Sequence, residues 1–374
     1  MQALRRRFAA LLFLGACAAA LAAHAAGPGK VIVRSAMGGF ILGYDIDPSG
    51  TEGLLAEAVT LGDGNHDVAV ETFDQATGKI IKIVRRQRDS KNDYVAFGIF
   101  GQVGLVEFEH VSDLFVDKRV YHLMDPIDGN AFTGLWTPPF KKASDIISAA
   151  AQSLGDAETA FLGFKNNGSD TSSYVFSSNV GANTFGPLTK VTDTVFDWPH
   201  SPVIAVDTVR HRAVLGSSNG CFGCLSFLRT VDLVTSEQHS QAGPGKGFVN
   251  GIAVDPNTNI ACTTTEDDFS VQFWDLDKGT VTMVTLPGAS SQAQSGSAVA
   301  VDPLHKLFLI GQPISSTAAD GSSIHVYDEK GNLVKSLNGF SLPASPANMA
   351  LNPSERRGFV IVTPDLNTLQ SFKY

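Results

Sequence analysis

From about residue 30 onward the chain alternates short apolar runs with polar turns, and the runs are rich in Val, Ile, Phe and Thr. Alternation at period two predicts strands with one buried face. The runs also repeat. An apolar stretch ending in Asp or Asn occurs as VIAVD, GIAVD, AVAVD and NMALN, closing at Asp207, Asp255, Asp302 and Asn352, in steps of 48, 47 and 50 residues. GYDID, closing at Asp47, is an earlier copy, and the 160 residues from Asp47 to Asp207 leave room for two diverged ones. NDYVAFGIF near Tyr94 and ASDIISAAA near Ile146 stand where those two should fall.

Each copy has a second half. VAVETFDQATGK at 68–79, VQFWDLDKG at 271–279 and IHVYDEKG at 324–331 run from an alternating strand through Asp to a turn closed by Gly. Another β-branched run follows. Asp and Asn supply local side-chain bonds and Gly supplies positive φ for tight hairpins. Four short strands in about 45 residues, repeated, is the pattern of propeller blades. One such sheet cannot shield both of its faces, so neighbours must cover them. The expected fold is therefore an all-β β-propeller, one domain over residues 26–374. Its copies fall at about 38–88, 89–129, 130–196, 197–244, 245–290, 291–342 and 343–374. The last is one strand short, and KVIVRS at 30–35 is an orphan. The N-terminal strand is expected to complete the last blade and close the ring. Six blades is the alternative if the second and third copies divide differently. SDIISAAAQSLGDAETA is the best helical segment, but its place in the register favours strands. The strand-end Asp and Asn residues are expected to cap turns, because a role repeated in every copy is what a fold needs.

Composition narrows the setting. Charged residues make up 17% of the chain and the formal net charge is −9, which argues against a nucleic-acid surface and gives no reason to expect anionic lipid as a partner. The first residues, MQALRRRFAALLFLGACAAALAAHA, have a basic start, a short apolar core and Ala23-His24-Ala25. They read as a secretory signal over residues 1–25, too short and Ala-rich for a membrane span. Its removal takes three arginines and leaves a formal charge of about −12. LGAC, ending at Cys17, is similar to a lipobox, so lipid anchoring is the alternative to a soluble periplasmic or secreted protein.

Three cysteines then remain. Cys221 and Cys224 stand in NGCFGC, within a Gly-rich turn. They read as a small disulfide, with a redox pair or half of a metal site as alternatives. A redox accessory role would rest on the same pair. Cys262 lies in a β-branched run and is expected to be a buried free thiol.

GIAVDPNTNIACTTTEDDFSVQFWDLDKGTV resembles the YVTN-type and NHL-like blades of bacterial β-propellers, with Val249 where Pro is usual and ACTTTEDD in place of the YVTN strand. SAVAVDPLHKLFLIG and VAVETFDQATGKIIKIV are similar to them too. That resemblance implies architecture, since such blades host binding modules, enzymes and scaffolds alike. NGIAVD also resembles the ligand motif of gluconolactonase-type propellers, which would make Asn250 an oxygen ligand of a divalent cation such as calcium or zinc. In the adjoining copies the matching positions are Pro202 and Ser297, which depart from that pattern.

Other motifs lack their context. GSSNG with Ser218 matches a nucleophile elbow without its following helix. DGNHD lacks the Gly and Glu of a calcium loop, and AGPGKG lacks P-loop spacing. Among the scattered histidines, His200 precedes an inner strand and is the candidate base. Glu266, Asp267 and Asp268 should occupy a loop on the same face. If His200, Asn250 and those acids converge, they form an acidic, metal-attracting mouth. The first expectation is a module that binds a protein or small molecule through that face. The second is a metal-dependent, lactonase-like hydrolase.

Overall fold

The computed structural model describes residues 27–374 apart from 48–50, 62–65, 90–91, 101–102, 113–114, 125–130, 137–145, 149–152, 156–157, 167–170, 180–183, 188, 192–202, 219–222, 289–297, 314–321, 344–348 and 363–365. Among the described residues the regular structure is strand, with a single 3-10 turn at Pro353–Glu355. The strands form seven antiparallel sheets. Five are four-stranded meanders in chain order, over residues 40–89, 92–136, 203–246, 249–285 and 298–340. In the 146–191 sheet, Ile146–Ser148 and Ser153–Gly155 both pair with Glu158–Asn166, and Thr184–Phe185 and Thr189–Val191 both pair with Thr171–Asn179. The described residues of SDIISAAAQSLGDAETA, 146–148, 153–155 and 158–160, are strand, as its register favours.

One boundary is corrected. Ala131–Trp136 pairs with Phe115–Met124, with Trp136 opposite Tyr121, so it completes the second sheet rather than opening the third copy at 130. The ladder decides ownership here, and the apolar pattern alone does not reveal it.

The last sheet carries the closure. Met349–Asn352, Arg357–Val362 and Thr368–Lys373 supply three strands, and Gly27–Arg34 adds the fourth against Thr368–Lys373. Val33 faces Leu369 in this ladder. Inner strands follow one another around an axis: Val203–Asp207 touches Val249–Asp255, which touches Ala298–Asp302, then Met349–Asn352, then Phe40–Ile46, then Asn92–Phe100.

Cores lie between neighbouring sheets. Alternation sends Phe273 to one face and Trp274 to the other. Trp274 packs with Ala205, Val214 and Leu228 of the preceding sheet. Phe273 packs with Phe308, Ile310 and Tyr327 of the following one, its ring 5.7 Å from that of Phe308. The seam is packed in the same way: Val33, Phe359 and Leu369 meet Ile41, Tyr44, Leu55 and Phe73. Tyr44 Oη donates to the Phe359 carbonyl at 3.1 Å across it.

Strand-end acids cap turns, as expected. Asp207 Oδ1 accepts from the Val209 and Arg210 amides, Asp255 Oδ1 from Asn257, Asp302 Oδ1 from His305, and Asn352 Oδ1 from Glu355. They also tie sheets together. Tyr374 Oη donates to Asp302 Oδ2 at 2.9 Å, Asn352 Nδ2 to Gln75 Oε1 at 3.1 Å, and Arg212, which binds Asp207, also reaches Asn259.

Val33 is fully buried while Ile32, next to it on the closing strand, is 44% exposed. Val33→Asp should therefore cost about 3 kcal/mol or more in chemical denaturation, and Ile32→Asp within about 0.5 kcal/mol. Asp207→Ala should cost about 2–3 kcal/mol. That is less than for a fully buried pair, because Arg210 and Arg212 still reach water.

Candidate functional site

Inner strands start, and second-to-third-strand loops turn, at the same end of the ring. In the 249–285 sheet, Ile260–Thr265 returns to the end from which Val249–Asp255 departs, so the acidic loop 266–269 sits beside the entry to the inner strand. Two backbone bonds fasten it there. The Glu266 amide donates to the Phe248 carbonyl at 3.0 Å, and the Asp267 amide to the Lys246 carbonyl at 3.3 Å.

The acidic side chains then fix their surroundings. Asp268 Oδ2 accepts from the Lys246 amide at 2.8 Å, and its Oδ1 from Thr265 Oγ1 at 2.6 Å and the Ser270 amide at 3.2 Å. Asp267 Oδ2 accepts from the Gly223 amide at 2.6 Å, and the Gly247 amide donates to the Cys224 carbonyl at 2.8 Å. Gly247 has φ +86°, and a Cβ there would lie 2.5 Å from the Asp267 carboxyl carbon. Only glycine permits that approach. Three segments, 223–224, 246–248 and 266–268, thus form one cluster that joins two sheets.

The positions singled out in the sequence distribute as follows. Glu266, Asp267 and Asp268 are half-buried in this cluster. Asn250 is the extra residue of a β-bulge: Val249 faces Thr265 and Gly251 faces Thr264. Bulges re-aim side chains and are frequent beside binding sites. Cys224 is disulfide-bonded, and its partner lies outside the described residues. His200, Cys221, Cys17 and the leader lie outside them too. Cys262 is free and fully buried, and burial pushes its thiol up.

The donor set does not fit a hard cation. Such an ion needs several oxygens free to turn toward it, while Asp267 and Asp268 already accept backbone N–H donors. Among the described residues no group of three or more His, Cys, Asp and Glu stands ready to hold a metal.

A second polar layer escaped the sequence analysis. Glu71, Arg229, Gln272 and His325 each lie three residues before the Asp that ends the third strand of their sheet, at Asp74, Asp232, Asp275 and Asp328. All four are buried. Gln272 Nε2 donates to Ser226 Oγ at 2.9 Å and its Oε1 accepts from the Gly245 amide at 3.1 Å, both on the preceding sheet. A Cβ at Gly243 or Gly245 would collide with this side chain, which explains the glycines of AGPGKG. His325 is held down at about 4 by burial. The neutral ring donates from Nε2 to Gln312 Oε1 at 2.7 Å and accepts at Nδ1 from Ser336 Oγ at 2.8 Å. The signal was present as ETFD, RTVD, QFWD and HVYD, a polar residue at a fixed offset from Asp.

No protein-family profile matches the chain, and no curated protein matches it. Solved structures do. The β-propeller domain of Myceliophteria thermophila Cps50 (Swd1) is 12% identical, over 92% of this chain and 100% of that one, with a TM-score of 0.56. The WD40 repeats of RRP9 are 13% identical, over 93% and 98%, with a TM-score of 0.61. At that identity the likeness defines the class alone: the chain folds as a β-propeller.

Two measurements check the cluster. Asp267→Ala should raise amide exchange at Gly223 about ten-fold, the loss of one charge-assisted bond, and leave Val271 unchanged. Oxidised protein should show no reactive thiol when native and one, Cys262, when unfolded.

Proposed function

We propose that the chain is an exported β-propeller that acts as a binding module, engaging a protein or small-molecule ligand through the end of the ring that carries 223–224, 246–248 and 266–268. The loop cluster itself carries this reading. It spans two sheets, its backbone is fixed by carboxylates, and it presents Lys246 to solvent beside Asp267 and Asp268. Rigid scaffolds that hold loops in one geometry lower the entropy cost of binding. The two solved propellers are consistent with an interaction module. The leader pattern and the disulfide at Cys224 support export to a periplasmic or extracellular oxidising compartment. Kinship with YVTN/NHL-like blades and a ring of seven blades belong to the same proposal. No helix among the described residues is long and apolar enough to cross a membrane.

The rival is a metal-dependent lactonase-like hydrolase, with Asn250 and the 266–268 acids holding the ion and His200 as base. The bulge at Asn250 favours it. The engagement of Asp267 and Asp268 by backbone amides weighs more heavily, and we place catalysis second.

A photo-crosslinking side chain at position 246 should give discrete adducts in the native compartment. One at 278, on an exposed turn at the opposite end, should give none. Equal labelling from both ends, or from neither, would remove the proposal. The exported chain should begin after Ala25 by intact mass, and a lipid-modified Cys17 at its start would overturn the soluble form.

A further inference from the structure

The seam between the first and last sheets contains two glutamates that neither the turns nor the loop cluster uses. Glu57 and Glu71 are both fully buried, on adjacent strands. Leu55, Glu57, Ala69 and Glu71 share the face that meets the last sheet, since Leu55 pairs with Glu71 and Glu57 with Ala69. Their carboxyl oxygens catch the segment that follows the closing strand. Glu57 Oε1 accepts from the Met37 amide at 2.8 Å, Glu57 Oε2 from Gly39 at 2.9 Å, and Glu71 Oε2 from Ala36 at 3.0 Å. Glu71 Oε1 is buried and takes no donor from the protein.

Counting back from the third-strand Asp, the counterpart of Glu71 is Arg229 in the 203–246 sheet, Gln272 in the 249–285 sheet and His325 in the 298–340 sheet, none of them an acid. Gln272 likewise accepts a backbone amide from the preceding sheet, that of Gly245. His325 bonds Gln312 and Ser336 of its own sheet, so the grip on neighbouring backbone is common to the seam and the 249–285 sheet. Only at the seam, among the described sheets, does it consist of two carboxyls. There the connection being gripped belongs to a strand held by hydrogen bonds and packing alone.

We propose that Glu57 and Glu71 form a proton-dependent latch on residues 36–39, so that attachment of the closing strand Gly27–Arg34 loosens as pH rises. A proton on Glu71 satisfies its orphan oxygen by making it a donor toward Glu57. Its loss leaves two buried anions side by side with three N–H donors between them, and like charges in low dielectric oppose each other. Burial, and then the hydrogen bond with Glu57, push Glu71 up to about 8. A carboxyl raised in the folded state stabilises fully below its unfolded value, near 4.5. That stability is lost progressively as pH rises from there to about 8, with no further loss above.

Asp67 lies on the same strand two steps beyond Ala69 and is buried, adding a further acid to the face. Tyr44, from the inner strand, is raised by burial and donates to Phe359. Register on the outer strand sets Arg86 opposite Ala69 and Arg88 opposite Asp67. The 35–39 segment itself contributes no titratable side chain. Opening the latch would release the partner edge of Thr368–Lys373, a ladder between strands more than 330 residues apart that no hairpin turn enforces.

The test is hydrogen exchange by mass spectrometry on the full mature chain from pH 5 to pH 9, corrected for intrinsic exchange. Opening at 31–39 should increase ten-fold or more between pH 5 and pH 8 and then level off, while 260–275 stays flat. In Glu71→Gln, whose amide offers an acceptor to Ala36 and a donor to Glu57 at every pH, the dependence should vanish and opening at pH 8.5 should fall below wild type. A flat wild-type profile, or an unchanged slope in Glu71→Gln, would overturn the latch. If that variant fails to fold, the wild-type profile alone decides.

Discussion

A four-stranded antiparallel sheet whose strands carry apolar residues at consecutive positions has two apolar faces and two open edges, and everything else in this chain follows from the need to cover them. Phe273 and Trp274 are consecutive and both buried, which no single sheet can achieve with one solvated face. Neighbouring sheets on both sides are required, and the arrangement has an end only if the last sheet meets the first. The meeting is made by Gly27–Arg34 lying on Thr368–Lys373, residues from opposite ends of the chain. Val33 of the closing strand sits in a core drawn from both the first and last sheets. Loop closure over such a separation costs entropy that only a packed seam offsets.

Much of this was legible in the sequence because it is periodic. Steps near 48 residues place VIAVD, GIAVD and AVAVD on inner strands, and the aromatic–Asp–Gly pattern places the outer hairpins. The orphan strand and the incomplete last copy imply each other. Residues 89–196 were harder. Their inner-strand segments NDYVAFGIF and ASDIISAAA lack the closing Asp or Asn of the other copies. Ala131–Trp136 was misassigned because ownership of a strand is a matter of pairing, and both candidate neighbours offer an apolar face.

The loop cluster was half legible. TEDD reads as a loop at the end where inner strands begin, since chain direction fixes which loops share an end, and 266–269 joins the second and third strands of its sheet. That its carboxylates serve the amides of Gly223 and Lys246 was not visible, because those partners are 44 and 22 residues away and belong to the preceding sheet. The same limit hid the layer of Glu71, Arg229, Gln272 and His325. A polar residue inside an alternating strand reads as solvent-facing unless its contact with the next sheet is known. AGPGKG looked like weak phosphate-loop chemistry, yet its glycines make room for Gln272 and Trp274.

Polar side chains between sheets also settle a problem that apolar packing leaves open. Hydrophobic contacts tolerate sliding, and a sheet shifted along its neighbour still buries Val and Phe. Directed bonds do not tolerate it: Gln272 to Gly245, or Tyr374 to Asp302, specifies one register between sheets. Between the 203–246 and 249–285 sheets, which the chain connects directly, the neutral amide of Gln272 serves, because the chain itself limits displacement. The seam lacks that restraint, so its grip must be stronger, and carboxyl oxygens accepting three amides are stronger acceptors than one amide oxygen. Two adjacent carboxyls are tolerable only while they share a proton, so the strength that secures the closing strand is inseparable from its sensitivity to pH.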